Sequence, residues 1–351
     1  MTQASALPAL RELSAKLGKD ITRTQGAGGN TSIKAEGIMW VKASGTWLAE
    51  AEEREIFVPV AVEPLVTALE AGDERVDAAI TDFVVESLNE SRLRPSIETS
   101  VHAVLPQAVV AHFHCVNTIA HAVRADVHAV ISERMRALPH LKWRIIPYRR
   151  PGVPLAREIA RVASERPDVL ILRNHGIIIA GETVEEVTAK IEAVTAALRI
   201  EPRKTPPPDL AYLSSIAGSE YRLPEDEAAH AVALDPDACR IARAGSLYPD
   251  HVIFLGTELG VLEEGETAAA LQQNEEAAGG TLLRLVLVPG RGVLMASGLS
   301  SGGLVMARCL AEVALRIDPA APVEYLGSEQ EYELTHWEAE KYRQKLDRAE
   351  R

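Results

Sequence analysis

Cysteine is scarce in this chain: three residues in 351, Cys115, Cys239 and Cys309, stand far apart and form no CxxC pair. That scarcity excludes a disulfide framework and a cysteine-built zinc site, and it fits small core residues in a reducing compartment. No run of 18 apolar residues occurs, so no membrane-spanning helix is expected. The first residues, with Pro8 and the charged Arg11 and Glu12, lack the apolar core of a signal peptide, and the expected location is cytoplasmic. Basic charge is also short, at 37 Lys and Arg against 50 Asp and Glu, a formal charge of −13. Nucleic acid is therefore not an expected partner, because phosphate backbones need a concentrated basic surface. Any phosphate bound here has to be held locally, by backbone amides and a few side chains.

What is present is the composition of a soluble globular protein, 47% apolar and 25% charged. The length exceeds one ordinary domain, so two are expected. The clearest linker runs from Glu201 to Asp209 and contains Pro206, Pro207 and Pro208, which join neither a helix interior nor a sheet. The boundary is placed there, giving units 1–205 and 206–351.

The first unit reads as an alternation of helices and strands. Leu7, Leu10, Leu13 and Leu17 recur at helical spacing. A glycine cluster follows, Gly26, Gly28 and Gly29, leading into Asn30, Thr31 and Ser32. It is not a dinucleotide fingerprint, because the sixth place of G-x-G-x-x-G is Thr31 and a strand follows instead of a helix. Two readings stay open: tight turns in a β-rich segment, or an anion nest with Asn30 as amide donor, Ser44, Gly45 and Thr46 as its other wall, and Lys42 or Lys34 supplying charge. Strands are expected at 38–42 and 55–60, and helices at 61–71 and 76–90. Another helix is expected to start over 94–98, with Pro95 at its beginning, Ser96 as cap and Glu98 in the first turn.

The most informative stretch is Val109 to Cys115. Its apolar, β-branched character reads as a strand, and a period of two puts His112 and His114 on one face and turns Phe113 and Cys115 toward the core. The strand at 168–173 delivers a third histidine, His175, beside Gly176. Two imidazoles on one strand face plus a third from elsewhere form a pattern for a metal, since three protein ligands with an open position is the arrangement of a catalytic zinc. His121, His128 and His140 fit no such set. The second unit reads as α/β, with strands at 251–255, 282–288 and 292–295 and helices at 303–316 and 330–348. Ser300 and the glycines around it read as a helix cap or an anion cradle, and 337–343 as a surface helix that docks on a partner subunit.

In order along the chain, Gly29 to Ser32, Ser44 to Thr46, Pro95 to Glu98, His112 to His114 and Asn174 to Gly176 resemble the motifs of the class II aldolase/adducin family. The resemblance covers about residues 10–200. Tyr248 to Val252 and Trp337 to Gln344 are similar to the aldolase portion of bifunctional rhamnulose-1-phosphate aldolase/alcohol dehydrogenases, without a counterpart of the dehydrogenase portion. The resemblance implies an α/β class with a three-layer α/β/α domain around a largely antiparallel sheet, and a smaller C-terminal α/β extension. It also implies a homo-tetramer with sites between subunits and a divalent ion, zinc, on His112, His114 and His175. By the same resemblance Glu98 is the acid/base residue, and Asn30, Ser44, Gly45 and Ser96 hold the phosphate of a sugar phosphate substrate. The implied reaction is cleavage of a ketose phosphate to dihydroxyacetone phosphate and a hydroxyaldehyde through a metal-stabilised enediolate. The same machinery serves decarboxylation, dehydration and epimerisation. Ile97, standing where those aldolases often carry a second serine, gives a decarboxylase some weight. A non-catalytic, adducin-like interaction module is the remaining alternative, and it predicts eroded ligands.

Overall fold

The computed structural model describes residues 3–277 and 280–338. Seven strands form the main sheet: β1 (Asn30–Ala35), β2 (Ile38–Lys42), β3 (Phe57–Ala61), β4 (Val109–Phe113), β5 (Trp143–Ile146), β6 (Val169–Leu172) and β7 (Gly176–Gly181). Their spatial order is β3-β2-β1-β4-β7-β6-β5. Every neighbouring pair is antiparallel except β5 with β6.

Alternation of side chains along these strands builds the layers. Val109, Ala111 and Phe113 of β4, with Ile177 and Ile179 of β7, face a core that also takes Leu10, Leu13 and Leu17 of the helix Gln3–Lys19 and Val187, Ile191 and Val194 of the helix Val184–Ala197. Their strand neighbours Val110, Leu170 and Ile178 face the opposite core, closed by the helices Val62–Ala71, Thr99–Val104 and Val153–Ala163. The result is the expected three-layer α/β/α arrangement. His112 shares its face with Val110, so its ring points to the side on which the helix after Glu98 packs.

A second sheet of four strands, β8 (Tyr221–Arg222), β9 (Gly260–Val261), β10 (Leu285–Val288) and β11 (Gly292–Ala296), has the order β8-β11-β10-β9. Its core is not confined to one side of the expected boundary. Val116, Ile119, Ala120 and Val123 of the first unit pack in one cluster with Val252, Leu255, Leu285 and Leu310 of the second. All three cysteines are buried. Among the described residues no helix is long and apolar enough to cross a membrane.

Several local expectations fail for identifiable reasons. Residues 251–255 form a π-helical turn instead of a strand. All five side chains are buried, and a short apolar run buried on every side has no period to distinguish helix from strand. The segment 76–90 is broken into the helix Arg75–Ala78 and 3-10 turns at Ile80–Phe83 and Glu86–Leu88. Val84 leaves the helical path to bridge Val60 of β3, so tertiary pairing overrides local propensity. The helix after Pro95 begins only at Thr99, because Pro95 bridges Ala43 and Ser96 donates its backbone N–H to the Lys42 carbonyl. Ser300 is a cap, its hydroxyl accepting from the Gly303 N–H. The last described helix is Ser328–Thr335. Of the expected docking segment, Trp337 lies under the Arg150 guanidinium at 4.1 Å, and 339–343 fall outside the described residues.

Candidate functional site

The register of the sheet assembles the site. β1 and β4 pair so that Asn30 lies opposite His112, and directly opposed residues project to the same face. His114 follows β4 by one residue, and His175 sits in the tight turn between β6 and β7. That turn needs Asn174 in the left-handed region, φ 50°, and a Cβ on Gly176 would come within 2.6 Å of the Phe113 carbonyl oxygen. Glycine there is what lets the His175 turn approach the end of β4.

The three rings meet with centroids 4.8 to 5.1 Å apart, and one ligating atom from each can be chosen so that all lie within 4.8 Å of one another. His112 is wholly buried, and its Nδ1 lies 3.0 Å from the Ile177 carbonyl oxygen. A carbonyl only accepts, so Nδ1 carries the proton and Nε2 presents a lone pair. That Nε2 faces His114 Nε2 at 3.2 Å and Glu98 Oε2 at 3.3 Å. Glu98 Oε1 lies 3.7 Å from His175 Nε2. Lone pairs and a carboxylate thus converge on one buried point, and a cation reconciles them. His175 Nδ1 and Glu98 Oε1 are buried without a hydrogen-bond partner, which marks the cluster as unfinished by protein atoms alone. The donor set fits a divalent ion on three imidazoles.

Burial pushes the His175 imidazole down to about 3 and lowers that of His112 as well, so both are neutral, as metal ligands must be. For Glu98 burial alone would raise the carboxyl, whereas positive charge placed among the three imidazoles and the Asn30 amide on Oε2 lower it.

A directional hydrogen-bond chain supports this carboxylate. The Ser32 hydroxyl donates to His102 Nδ1 at 2.7 Å, and His102 Nε2–H donates to Asn30 Oδ1. The Asn30 amide then donates to Glu98 Oε2 at 2.9 Å and to Ser96 Oγ at 3.2 Å. His102, whose pKa burial lowers to about 3, stays neutral and can donate at only one nitrogen. The Asn30 amide is therefore locked in one orientation.

Asn30, Ser44, Gly45, Ser96, Glu98, His114 and His175 all line a single pocket, with Ile97, Pro151 and Pro249 as apolar wall. His112 lies beneath it, in contact with Glu98. Lys42 is at the pocket, but its ammonium is clamped to the Ala27 and Gly29 carbonyls at 2.8 and 3.0 Å, so it shapes the glycine loop. Lys34 is elsewhere, bonded to the Leu105 and Gln107 carbonyls. Two residues at the site were not legible from local pattern: His102, hidden at i+4 from Glu98, and Asp250, which comes from the second unit. The only hint of Asp250 was its place in the Tyr248 to Val252 motif.

A family model described as the class II aldolase and adducin N-terminal domain matches residues 10–201. The Bacillus subtilis (strain 168) protein named uncharacterized oxidoreductase YuxG is 31% identical over 181 residues, covering 48% of this chain and 25% of its own length. The chain thus spans about a quarter of that curated relative. Among solved structures, the N-terminal class II aldolase domain of a conserved protein from Thermoplasma acidophilum is 25% identical, with 56% of this chain and 94% of that one covered at a TM-score of 0.48. An L-fuculose 1-phosphate aldolase is 19% identical, with 65% and 94% covered at a TM-score of 0.40.

Proposed function

The chain belongs to the class II aldolase and adducin family, and from that premise we propose that it is a metal-dependent carbon–carbon lyase cleaving a ketose phosphate to dihydroxyacetone phosphate and a hydroxyaldehyde. The observation that carries the reading is the convergence of His112 Nε2, His114 Nε2 and Glu98 on one buried point, with His112 Nδ1–H already committed to a carbonyl. His112, His114 and His175 would hold the ion, with zinc the expected one. Bound there, a divalent cation supplies electrostatic stabilisation of the negative charge that develops on a ketone oxygen as the adjacent bond breaks.

The chain's own residues do the rest. Asn30 ties down Glu98 Oε2 and leaves Oε1 without a hydrogen bond, so Oε1 is the atom that takes and returns the proton. Backbone and hydroxyl donors of the loop 28–30, Ser44, Gly45 and Ser96 line the wall where a phosphate would be held. Ile97, Pro151 and Pro249 exclude water from the reacting end. The reading includes a cytoplasmic homo-tetramer, a catalytic unit over 1–205 and an extension over 206–351.

Two features favour a second reading, a decarboxylase of a 3-oxo or aromatic acid. Lys42, the cation lining the pocket, spends hydrogen bonds on two carbonyls, and Ile97 stands on the wall in place of a serine. Metal analysis combined with assays on ketose phosphates and 3-oxo acids separates the two. About one divalent ion per chain, with aldehyde and dihydroxyacetone phosphate released, is the expected result. Carbon dioxide from an acid, with no aldehyde from any sugar phosphate, would establish the decarboxylase. A metal-free, inactive protein would leave the non-catalytic module.

His102 provides a subtler check. His102→Phe removes the donor that orients Asn30, and kcat is expected to fall by roughly 10- to 100-fold through a misplaced carboxylate. Metal content and KM should stay near wild type, and His102→Gln, which restores an N–H donor, should recover part of the loss. Unchanged turnover in His102→Phe, which fills the same space, would argue that His102 only fills space.

A further inference from the structure

Asp250 is a carboxylate with 3% of its surface exposed, and it comes from the part of the chain outside the family match. Its Oδ2 lies 2.9 Å from His114 Nδ1. The glycine loop makes room for that pair: a Cβ on Gly28 would sit 3.0 Å from His114 Nδ1 and 3.1 Å from Asp250 Oδ2. The segment leading to Asp250 also reaches the turn that carries the third histidine. The Leu247 carbonyl accepts from Asn174 Nδ2 at 3.0 Å, and the Glu324 carbonyl accepts from the same amide at 2.7 Å, bracing the left-handed residue that precedes His175. Directly after Asp250 comes the buried π-helical turn His251–Leu255, a local irregularity of the kind that often accompanies a functional position.

We propose that Asp250 is a positioning residue of the metal site, so that residues 206–351 complete that site within the same chain. The proposal rests on the reading of His112, His114 and His175 as ligands. An imidazole that binds a metal through one nitrogen needs an acceptor for the N–H on the other, and a carboxylate there fixes the tautomer and the ring angle and makes the ligand a better donor. For His112 that acceptor is the Ile177 carbonyl. For His114 the group within reach is Asp250, whose Oδ2 lies 2.9 Å from Nδ1 and would take the Nδ1–H once Nε2 is given to the metal.

The test compares the full-length wild type with Asp250→Asn and Asp250→Ala, with zinc affinity measured against a chromophoric chelator and folding followed by circular dichroism of the zinc-free proteins. The dissociation constant is expected to rise by about 10- to 100-fold in both variants, at the lower end for the isosteric Asn. If Asp250→Ala does not fold, Asp250→Asn carries the measurement. In the cobalt-substituted wild type, proton NMR should show protected, hyperfine-shifted ring N–H signals, among them those of His112 and His114. Asp250→Ala should keep the first and lose the second to solvent exchange, and Asp250→Asn, whose amide carbonyl still accepts, should hold the second less well. Zinc affinities within about twofold of wild type, with both signals retained, would overturn the proposal. A wild-type protein that binds no zinc would strike the metal reading itself, a different failure with a different signature.

Discussion

His112→Ala is expected to strip the protein of its divalent ion and to lower turnover by on the order of a thousandfold or more. The size follows from what the ion contributes, several kcal/mol of charge stabilisation, at about 1.4 kcal/mol per tenfold in rate. His112 is the central member of the set. It is wholly buried, its Nδ1–H is fixed on the Ile177 carbonyl, and its Nε2 faces both His114 and Glu98. Two remaining imidazoles fall short of the three protein ligands a catalytic site uses. Elemental analysis after dialysis and steady-state kinetics on the same preparation measure the two effects together. Thermal melts of wild type and variant, both zinc-free, separate loss of metal from loss of fold, and His112→Gln provides a larger replacement if the cavity left by Ala is not tolerated. A folded variant that kept its ion and its turnover would remove His112 from the site.

The parts of this site that were legible in the sequence are those set by short-range periodicity. Alternation along Val109 to His114 places His112 on one face and Phe113 on the other, and the two cores confirm the split. Asn30 was legible as a polar residue after a glycine loop, but its partner was not. Which strand lies beside β1 depends on sheet order, and only the pairing of β1 with β4 brings Asn30 opposite His112. His102, four residues after Glu98, hydrogen-bonds Ser32 and Asn30. That its partner would be Asn30, linking helix to strand and from there to Glu98, is a tertiary fact with no local trace. Asp250 lies 136 positions after His114 by their numbering, and the turn that follows it was misread as a strand. The lysines show the converse error. Charge near a glycine loop suggests an anion, whereas Lys42 satisfies two buried carbonyls, a structural demand invisible until the loop is folded.

Glu98→Gln should leave the metal in place and still lower kcat by about 10²- to 10⁴-fold, the usual range for loss of a general acid/base. The substitution is nearly isosteric, and Asn30 Nδ2, which now donates to Oε2 at 2.9 Å, would select the rotamer that turns the glutamine carbonyl toward it. The glutamine NH2 then occupies the position of Oε1, which offers protons where a proton must be accepted. Binding of substrate does not require that proton transfer, so KM should change little, and a fall confined to kcat marks an interaction made in the transition state. Exchange of the ketone product's α-proton with deuterated solvent isolates the step, and it should slow in parallel with kcat. Glu98→Asp keeps the charge but draws the carboxylate back, so it should regain part of the exchange rate. If Glu98→Gln exchanged protons at the wild-type rate, the base would have to be sought elsewhere in the pocket, and the hydrogen-bond chain from Ser32 through His102 and Asn30 would be holding a group with no part in proton transfer.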